Sequence, residues 1–176
     1  MPSSERHVSP NRSAGPTKTY TIAVSAVITA QPSACYEALA DFRVAHPKIV
    51  PPQYFGPLKV VAGGSGAGTR TTCSLRIMGQ THPFTSEITE PVPGRVMVET
   101  IVESGAVTTF TVVGDGVASA RVTIETRMPR GAGVMGALER MITRRVFPRI
   151  YTEELGRLAS YVRGVVTGKP SVLLYG

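Results

Sequence analysis

The stretch that decides the fold is Thr69–Glu90, TRTTCSLRIMGQTHPFTSEITE. In its first half, Cys73, Leu75 and Ile77 alternate with polar residues, which predicts a β-strand with one buried face. The pair Gly79–Gln80 that follows has the right length for a tight hairpin turn. The stretch therefore predicts an antiparallel hairpin.

The returning strand of this hairpin is Thr81–Glu90, with Phe84, Ser86 and Ile88 expected on its inner face. Other strand patterns lie on both sides of the hairpin, and most of the connections are short, which favours antiparallel neighbours. These further strands are predicted at Tyr20–Thr29, Leu58–Ala62, Val96–Val102, Val107–Val113 and Ala118–Met128. The sequence thus predicts seven strands, six of them in one antiparallel meander.

Helical spacing occurs in two places. A short helix is predicted in Ala30–Phe42, because Pro32 can occupy the first turn of a helix. The proline-rich residues 46–57 leave room for at most one more short helical turn. Apolar residues at i, i+3 and i+4 predict a long amphipathic helix over Ala132–Arg163, with a kink at Pro148.

This order of elements resembles the START-like, or helix-grip, superfamily (SRPBCC proteins), and in particular its polyketide cyclase/dehydrase-like members. The resemblance covers residues 19–163 and rests on ITAQPSACYEALADF, PVPGRVMVET, VASARVTIET and the Leu138–Leu158 helix. It implies an α+β helix-grip fold, in which a curved seven-stranded antiparallel sheet wraps around a long C-terminal helix. Two short helices follow strand 1, and a hydrophobic cavity lies between the sheet and the long helix.

The expected walls of that cavity are mostly apolar, with a few polar side chains. They are Phe42, His46, Tyr54, Phe55, Cys73, Leu75, Ile77, Phe84, Ser86, Val98, Phe110, Met135, Leu138, Met141 and Ile142. Small-molecule sites have this mixed composition. Plain core packing has the same periodicity and is the alternative for each apolar member.

His46 and Tyr54 are the candidate catalytic residues, because an imidazole and a phenol at the cavity mouth can exchange protons with a substrate. The alternative is a surface histidine in a turn before Pro47. Glu87 and Glu99 are expected on the outer face of the sheet, where carboxylates are solvated and idle. A carboxyl group that pointed inward would have a raised pKa and could act as a base.

No metal and no cofactor is predicted. The three histidines and two cysteines form no metal-binding motif, so the cysteines are expected to be small buried thiols. The glycine-rich residues 63–68 precede a strand rather than a helix and lack the lysine of a phosphate-binding loop. They are predicted to form a loop between strands.

Most of the net charge of +7 lies in residues 127–149, which carry +5. Four of its six arginines, Arg140 with Arg144 and Arg145 with Arg149, stand in i, i+4 pairs beside the apolar stripe, which favours a solvated helix face over a nucleic-acid site. Residues 1–18 lack the apolar stretch of a signal peptide and are predicted to form a disordered lead, with residues 164–176 as a C-terminal tail. We expect a cytoplasmic protein with no nucleic-acid partner and no stable membrane insertion; the oligomeric state is open.

Three functions fit these observations. The first is binding of a hydrophobic small molecule such as a lipid, a polyketide or an aromatic metabolite. The second is an enzyme of the polyketide cyclase/dehydratase kind that uses polar cavity residues. The third is a basic surface module for an anionic membrane or a nucleic acid.

Overall fold

A computed structural model describes residues 18–131 and 133–167. Within them the predicted order of elements is confirmed. The elements are β1 Thr19–Ile28, α1 Pro32–Ala40, α2 His46–Ile49, β2 Lys59–Ala62, β3 Arg70–Ile77, β4 Gln80–Val92, β5 Val96–Ile101, β6 Val107–Gly114, β7 Ala120–Pro129 and α3 Gly133–Thr167. The predicted N-terminal lead, apart from Lys18, and the tail beyond residue 167 lie outside the described residues.

All seven strands form one antiparallel sheet in the order β1-β7-β6-β5-β4-β3-β2. Strands β2 to β7 follow one another as a meander, while β1 pairs with β7 along its whole length, from Thr19 opposite Pro129 to Ile28 opposite Ala120. The sheet and the long helix make up a helix-grip fold, as predicted.

The pairing register decides which residues of β5 face inward, because directly opposite residues share a face. Met97 is fully buried and lies opposite Phe110. Val98 lies opposite Thr89 and Thr109, on the other face. This register corrects the expectation that Val98 lines the cavity: both alternating sets of β5 contain apolar residues, so composition alone did not identify the inner set.

The buried positions of α3 lie mainly at 150–162, where Ile150, Leu155 and Leu158 are almost fully enclosed. The helix packs against β1 and against α1 and α2. It continues on both sides of Pro148.

The first turns of α3 are far more open than its second half. Leu138 and Met141, expected to line the cavity, have exposed fractions of 43% and 60%, because the closely packed part of the helix begins further along. Ile142 is half-buried. The side chain of Met135 lies outside the described residues.

The glycine-rich residues 63–68 form a loop between β2 and β3, as predicted. The Phe42 N–H donates to the carbonyl oxygen of Gly64 at 3.1 Å, and the Gly66 N–H donates to that of Ala40 at 3.0 Å. Gly63 has a φ of +65°, and a Cβ atom there would lie 2.8 Å from the Cα of Thr69. These contacts fasten the loop to the end of α1, which gives the glycines a structural role.

Candidate functional site

The two halves of the inner sheet face are covered to different extents. On β6 and β7, Val112, Val122 and Ile124 are almost fully buried. On the other half burial is uneven: Ile88 and Met97 are almost fully buried, whereas Cys73 and Leu75 of β3, Phe84 of β4 and Ile101 of β5 are only partly buried. The partly exposed part of the inner face of β3 to β5 is called the cleft below.

A row of polar side chains crosses the inner face at the border of the cleft. Glu99 of β5 lies opposite Thr108 of β6, which lies opposite Thr126 of β7. Isoleucines stand at both ends of the row, Ile88 on β4 and Ile22 on β1. A polar row with apolar neighbours on this buried face is unusual, because polar side chains need hydrogen-bond partners there.

The helix α3 adds two polar groups above this row. The hydroxyl of Thr108 is 2.8 Å from that of Thr126, and the Thr126 hydroxyl also shares a hydrogen bond with the phenol of Tyr151. Glu154 lies one turn further along the same buried face and has an exposed fraction of only 4%. These five residues are called the polar cluster.

Both carboxyl groups of the polar cluster resist ionisation. Burial, with a further contribution from the nearby charge of Glu99, raises the pKa of Glu154 to about 8. Burial also raises the pKa of Glu99, against the opposing effect of a hydrogen bond from Ser86. Burial likewise raises the pKa of Tyr151. A carboxyl group with a pKa near neutrality can donate or accept a proton under ordinary conditions.

The interpretation of the sequence treated the two glutamates differently, with an inward, basic carboxyl at Glu99 kept only as an alternative. Glu99 was expected on the outer face, and the register corrects this by placing it inward, opposite Thr108. Glu154 was not singled out at all. Its signal was in the sequence, since residue 154 lies four positions after Ile150 and four before Leu158, within the apolar stripe of the helix.

His46 is a core residue. Its Nδ1 is 2.8 Å from the carbonyl oxygen of Leu39, and its ring stacks on Phe42 at 4.5 Å and meets the edge of Phe110 at 6.0 Å. Burial lowers its pKa to about 4, so the ring is neutral near pH 7. Nδ1 carries the hydrogen, because a carbonyl oxygen can only accept. An imidazole so enclosed and so weakly basic is poorly suited to the acid/base role expected of it.

Tyr54 and Phe55 are half-buried and lie beside β3. The N–H of Arg76 donates to the carbonyl oxygen of Tyr54 at 2.6 Å, and Phe55 forms a bridge with Leu75. Among the described residues, no hydrogen bond joins Tyr54 to His46. The two candidate catalytic residues therefore do not form a pair.

The remaining predicted wall residues fall into two groups. Phe42, Phe110 and Ser86 are buried, and Ser86 shares a hydrogen bond of 2.7 Å with Thr71. Ile77 is half-buried near the end of β3. The thiol of Cys73 donates to the carbonyl oxygen of Gly56 at 3.2 Å, and burial raises its pKa. Cys73 is a wall of the cleft and not an activated nucleophile.

Most arginines of the basic segment are exposed to solvent. Arg144, Arg145 and Arg149 are exposed on α3, and the guanidinium of Arg144 lies 5.9 Å from the ring centre of Tyr20. In the part of the chain that the structure describes, no group of three or more potential ligands could hold a metal ion. None of the helices described is long and apolar enough to cross a membrane.

The site and fold can be compared with known proteins. Residues 19–163 match the model of a family described as polyketide cyclase / dehydrase and lipid transport. The chain belongs to this family. No curated protein sequence matches it.

Three solved structures illustrate the likeness in fold. The KanY protein is 27% identical, with a TM-score of 0.73 over 84% of this chain and 99% of that one. The Zhui aromatase/cyclase from Streptomyces sp. R1128 is 15% identical, with a TM-score of 0.72 over 86% and 98%. A START superfamily protein from Mycobacterium smegmatis is 13% identical, with a TM-score of 0.65 over 82% and 98%. At the level of the family, the function is cyclase/dehydrase chemistry or the handling of a hydrophobic ligand.

Proposed function

We propose that this protein binds a hydrophobic small molecule in the cleft, with the polar end of the ligand held at the polar cluster. The observation that carries this proposal is the contrast within one inner face: Leu75, Phe84 and Ile101 on β3 to β5 stay partly exposed, while Val112, Val122 and Ile124 on β6 and β7 are buried. Apolar surface that the fold leaves uncovered gains free energy when a ligand covers it. The ligand classes that fit are lipids, polyketides and aromatic metabolites.

The polar cluster supports this function because it can orient a ligand. A cleft with apolar walls gives little directional preference, whereas a few fixed polar groups set the position of a bound molecule. Tyr151 is held in place by Thr126, and Thr126 by Thr108. The cluster is therefore a fixed polar surface at the inner end of an apolar cleft.

The test is binding of Nile red, a neutral hydrophobic dye, to variants that block the cleft. Ile101→Trp places a large ring in the cleft, and Thr100→Trp places the same ring on the opposite face of the same strand. We expect Ile101→Trp to weaken dye binding by about tenfold or more. The dye would lose apolar contact area equal to roughly one buried side chain, and the free energy of that contact corresponds to a change in affinity of this size. Thr100→Trp should bind as the wild type does.

A second pair, Leu75→Trp with Ser74→Trp, repeats the comparison on β3 in case a β5 variant fails to fold. Circular dichroism checks each protein. Equal dye binding by the blocked and control variants of a folded pair would show that the cleft is not the site. Native mass spectrometry of the protein purified from its own host then identifies what occupies the cleft.

A cyclase/dehydrase-type enzyme is the second candidate, and the pKa of about 8 at Glu154 favours it. In this function, Glu154 and Glu99 would move protons to and from a substrate that the cleft holds in a folded conformation. This role replaces the one expected of His46 and Tyr54. The test is turnover of poly-β-keto thioesters: Glu154→Gln should lower kcat by at least about a hundredfold, with circular dichroism to show that the variant is folded. Turnover that survives this substitution excludes the role.

A further inference from the structure

The polar cluster contains two acidic groups and no basic one. The titratable groups that face it are Glu99 from β5, Tyr151 and Glu154 from α3, and Cys73 from β3. Strands β4, β6 and β7 contribute hydroxyl groups, from Ser86, Thr108 and Thr126. Among the described residues, the two ion pairs, Arg70 with Glu87 and Arg121 with Asp115, involve other carboxylates, and all four of their side chains are substantially exposed.

Glu154 has no hydrogen-bond partner among the described residues, although only 4% of its surface is exposed. Buried carboxyl groups are normally bonded. Every fully enclosed polar side-chain atom in the described part of the chain has a partner. The carboxyl oxygens of Glu154 are therefore not fully enclosed and keep a small accessible surface.

We propose that the ligand is a hydrophobic molecule whose polar end is a protonated amine, held jointly by Glu99 and Glu154. This inference rests on the proposed binding function and narrows its ligand class. An ammonium group has three N–H donors, and the cluster offers two carboxyl groups and the oxygen of Tyr151 as acceptors. The apolar part of the ligand lies against Leu75, Phe84 and Ile101.

Charge favours an amine over the other polar ends of a hydrophobic molecule. A carboxylate or phosphate would bring a second or third negative charge beside two acidic groups, and such like charges repel strongly where water is scarce. A hydroxyl or keto group would gain neutral hydrogen bonds, which are roughly half as strong as charge-assisted ones. A cation lowers the cost of ionising Glu154 while it remains buried.

Amine binding also couples to a proton. Near pH 7 the Glu154 carboxyl is largely protonated in the free protein, because its pKa is about 8. An arriving ammonium group favours its ionised form, so that up to one proton passes from Glu154 to the solvent for each amine bound. The affinity for an amine should therefore rise between pH 6 and pH 8, whereas that for an alcohol should not.

The experiment measures displacement of Nile red by three molecules with the same chain, octylamine, octanol and octanoate. At pH 7 we expect octylamine to compete at a concentration about tenfold lower than octanol, with octanoate the weakest, because charge-assisted bonds are the stronger ones. In Glu154→Gln and Glu99→Gln, the advantage of octylamine over octanol should fall to about threefold or less, because a glutamine amide cannot pair with the charge of the ammonium group.

Glu153→Gln is the matched control, because it removes the same charge from the neighbouring position, where Glu153 is bonded to Gln53. The control should keep the full preference for octylamine. Calorimetry in two buffers of different ionisation enthalpy should show proton release with octylamine that is absent in Glu154→Gln.

The possible failures are distinguishable. If Nile red does not bind, or no octyl compound displaces it, the proposed binding function fails. If the dye binds and octanol displaces it, but octanoate competes as well as octylamine or the preference survives both substitutions, only the amine is excluded.

Discussion

The inner face of the sheet has two regions, on different strands, that differ in how completely their apolar side chains are buried. Where β6 and β7 lie under the rest of the fold, Val122, Ile124 and Leu158 are completely buried. Where β3 to β5 face α3, the equivalent apolar positions Leu75 and Ile101 stay half-exposed. Both regions consist of ordinary apolar residues, so composition does not distinguish a core from a ligand site here.

The difference lies in what covers each region. Helix α3 packs closely against β1, α1 and α2, and this packing holds it over one side of the sheet. The polar cluster stands between the two regions, with Tyr151 bonded to Thr126 on the packed side and Glu154 beside Glu99 of β5. One region thus stabilises the fold, and the other leaves apolar surface partly exposed, where we propose that a ligand binds.

The largest effect that would test this comparison is expected at Glu154. Its pKa is about 8 in the folded protein against an ordinary value of 4.5, so the folded protein keeps a proton that the unfolded chain releases as the pH rises between these values. Stability is therefore lost as the pH rises from 4.5 to 8, by roughly 5 kcal/mol. The Glu154→Gln variant has no carboxyl group to ionise and should not lose this stability. Urea denaturation should therefore show that the difference in unfolding free energy, variant minus wild type, grows by roughly 5 kcal/mol between pH 4.5 and pH 8.

Glu99 supplies part of the effect, because its charge contributes to the raised pKa of Glu154. Glu99→Gln should therefore move the loss of stability of Glu154 to lower pH. A difference between wild type and Glu154→Gln that is the same at pH 5 and pH 8 would mean that Glu154 is solvated, and the boundary between the two regions would have to be redrawn.

The second effect compares the same substitution in the two regions. Leu158→Ala leaves a cavity in a fully enclosed site and should cost about 2–5 kcal/mol of unfolding free energy. Leu75→Ala removes the same atoms from a partly exposed site and should cost less, about 1–2 kcal/mol, since part of the side chain already contacts solvent in the folded protein.

The effect on Nile red binding should be the reverse of the effect on stability. Leu75→Ala should weaken binding of the dye, whereas Leu158→Ala, where it folds, should leave binding unchanged. Equal losses of stability at the two sites, measured by chemical denaturation, would mean that the β3 side is packed as tightly as the β7 side.

Much of this architecture could be predicted from the sequence, because it follows from local patterns. Alternation in Arg70–Ile77 and turn residues at Gly79 identify the central hairpin, and the i, i+3, i+4 spacing identifies α3. The polar cluster could not be placed in the same way. In β5 the alternation is ambiguous, and only the pairing of Glu99 with Thr108, a tertiary fact, turns the glutamate inward.

His46 shows the opposite error, a polar residue assigned to the site that belongs to the core. Histidine has both a polar edge and a flat ring, and its sequence neighbours do not reveal which one the fold uses. Here α1 supplies a carbonyl oxygen for Nδ1, while Phe42 and Phe110 enclose the ring. Neither contact is visible before the chain folds.

The smallest of the three effects tests this core role. The pKa of His46 is about 4 in the folded protein against an ordinary value of 6.5, because burial disfavours the charged ring. Below pH 6.5 the unfolded chain takes up a proton that the folded protein refuses, so stability is lost as the pH falls towards 4, by roughly 3 kcal/mol.

His46→Gln keeps an N–H donor for the carbonyl oxygen of Leu39 but cannot titrate in this range. We expect it to be less stable than the wild type at pH 7, because the ring contacts with Phe42 and Phe110 are lost. That deficit should shrink by about 3 kcal/mol by pH 4 in urea denaturation. If the difference in stability instead stays constant between pH 7 and pH 4, His46 takes up protons in the folded protein as readily as in the unfolded chain. Its ring would then be accessible to solvent, and the catalytic role expected from the sequence would be possible again.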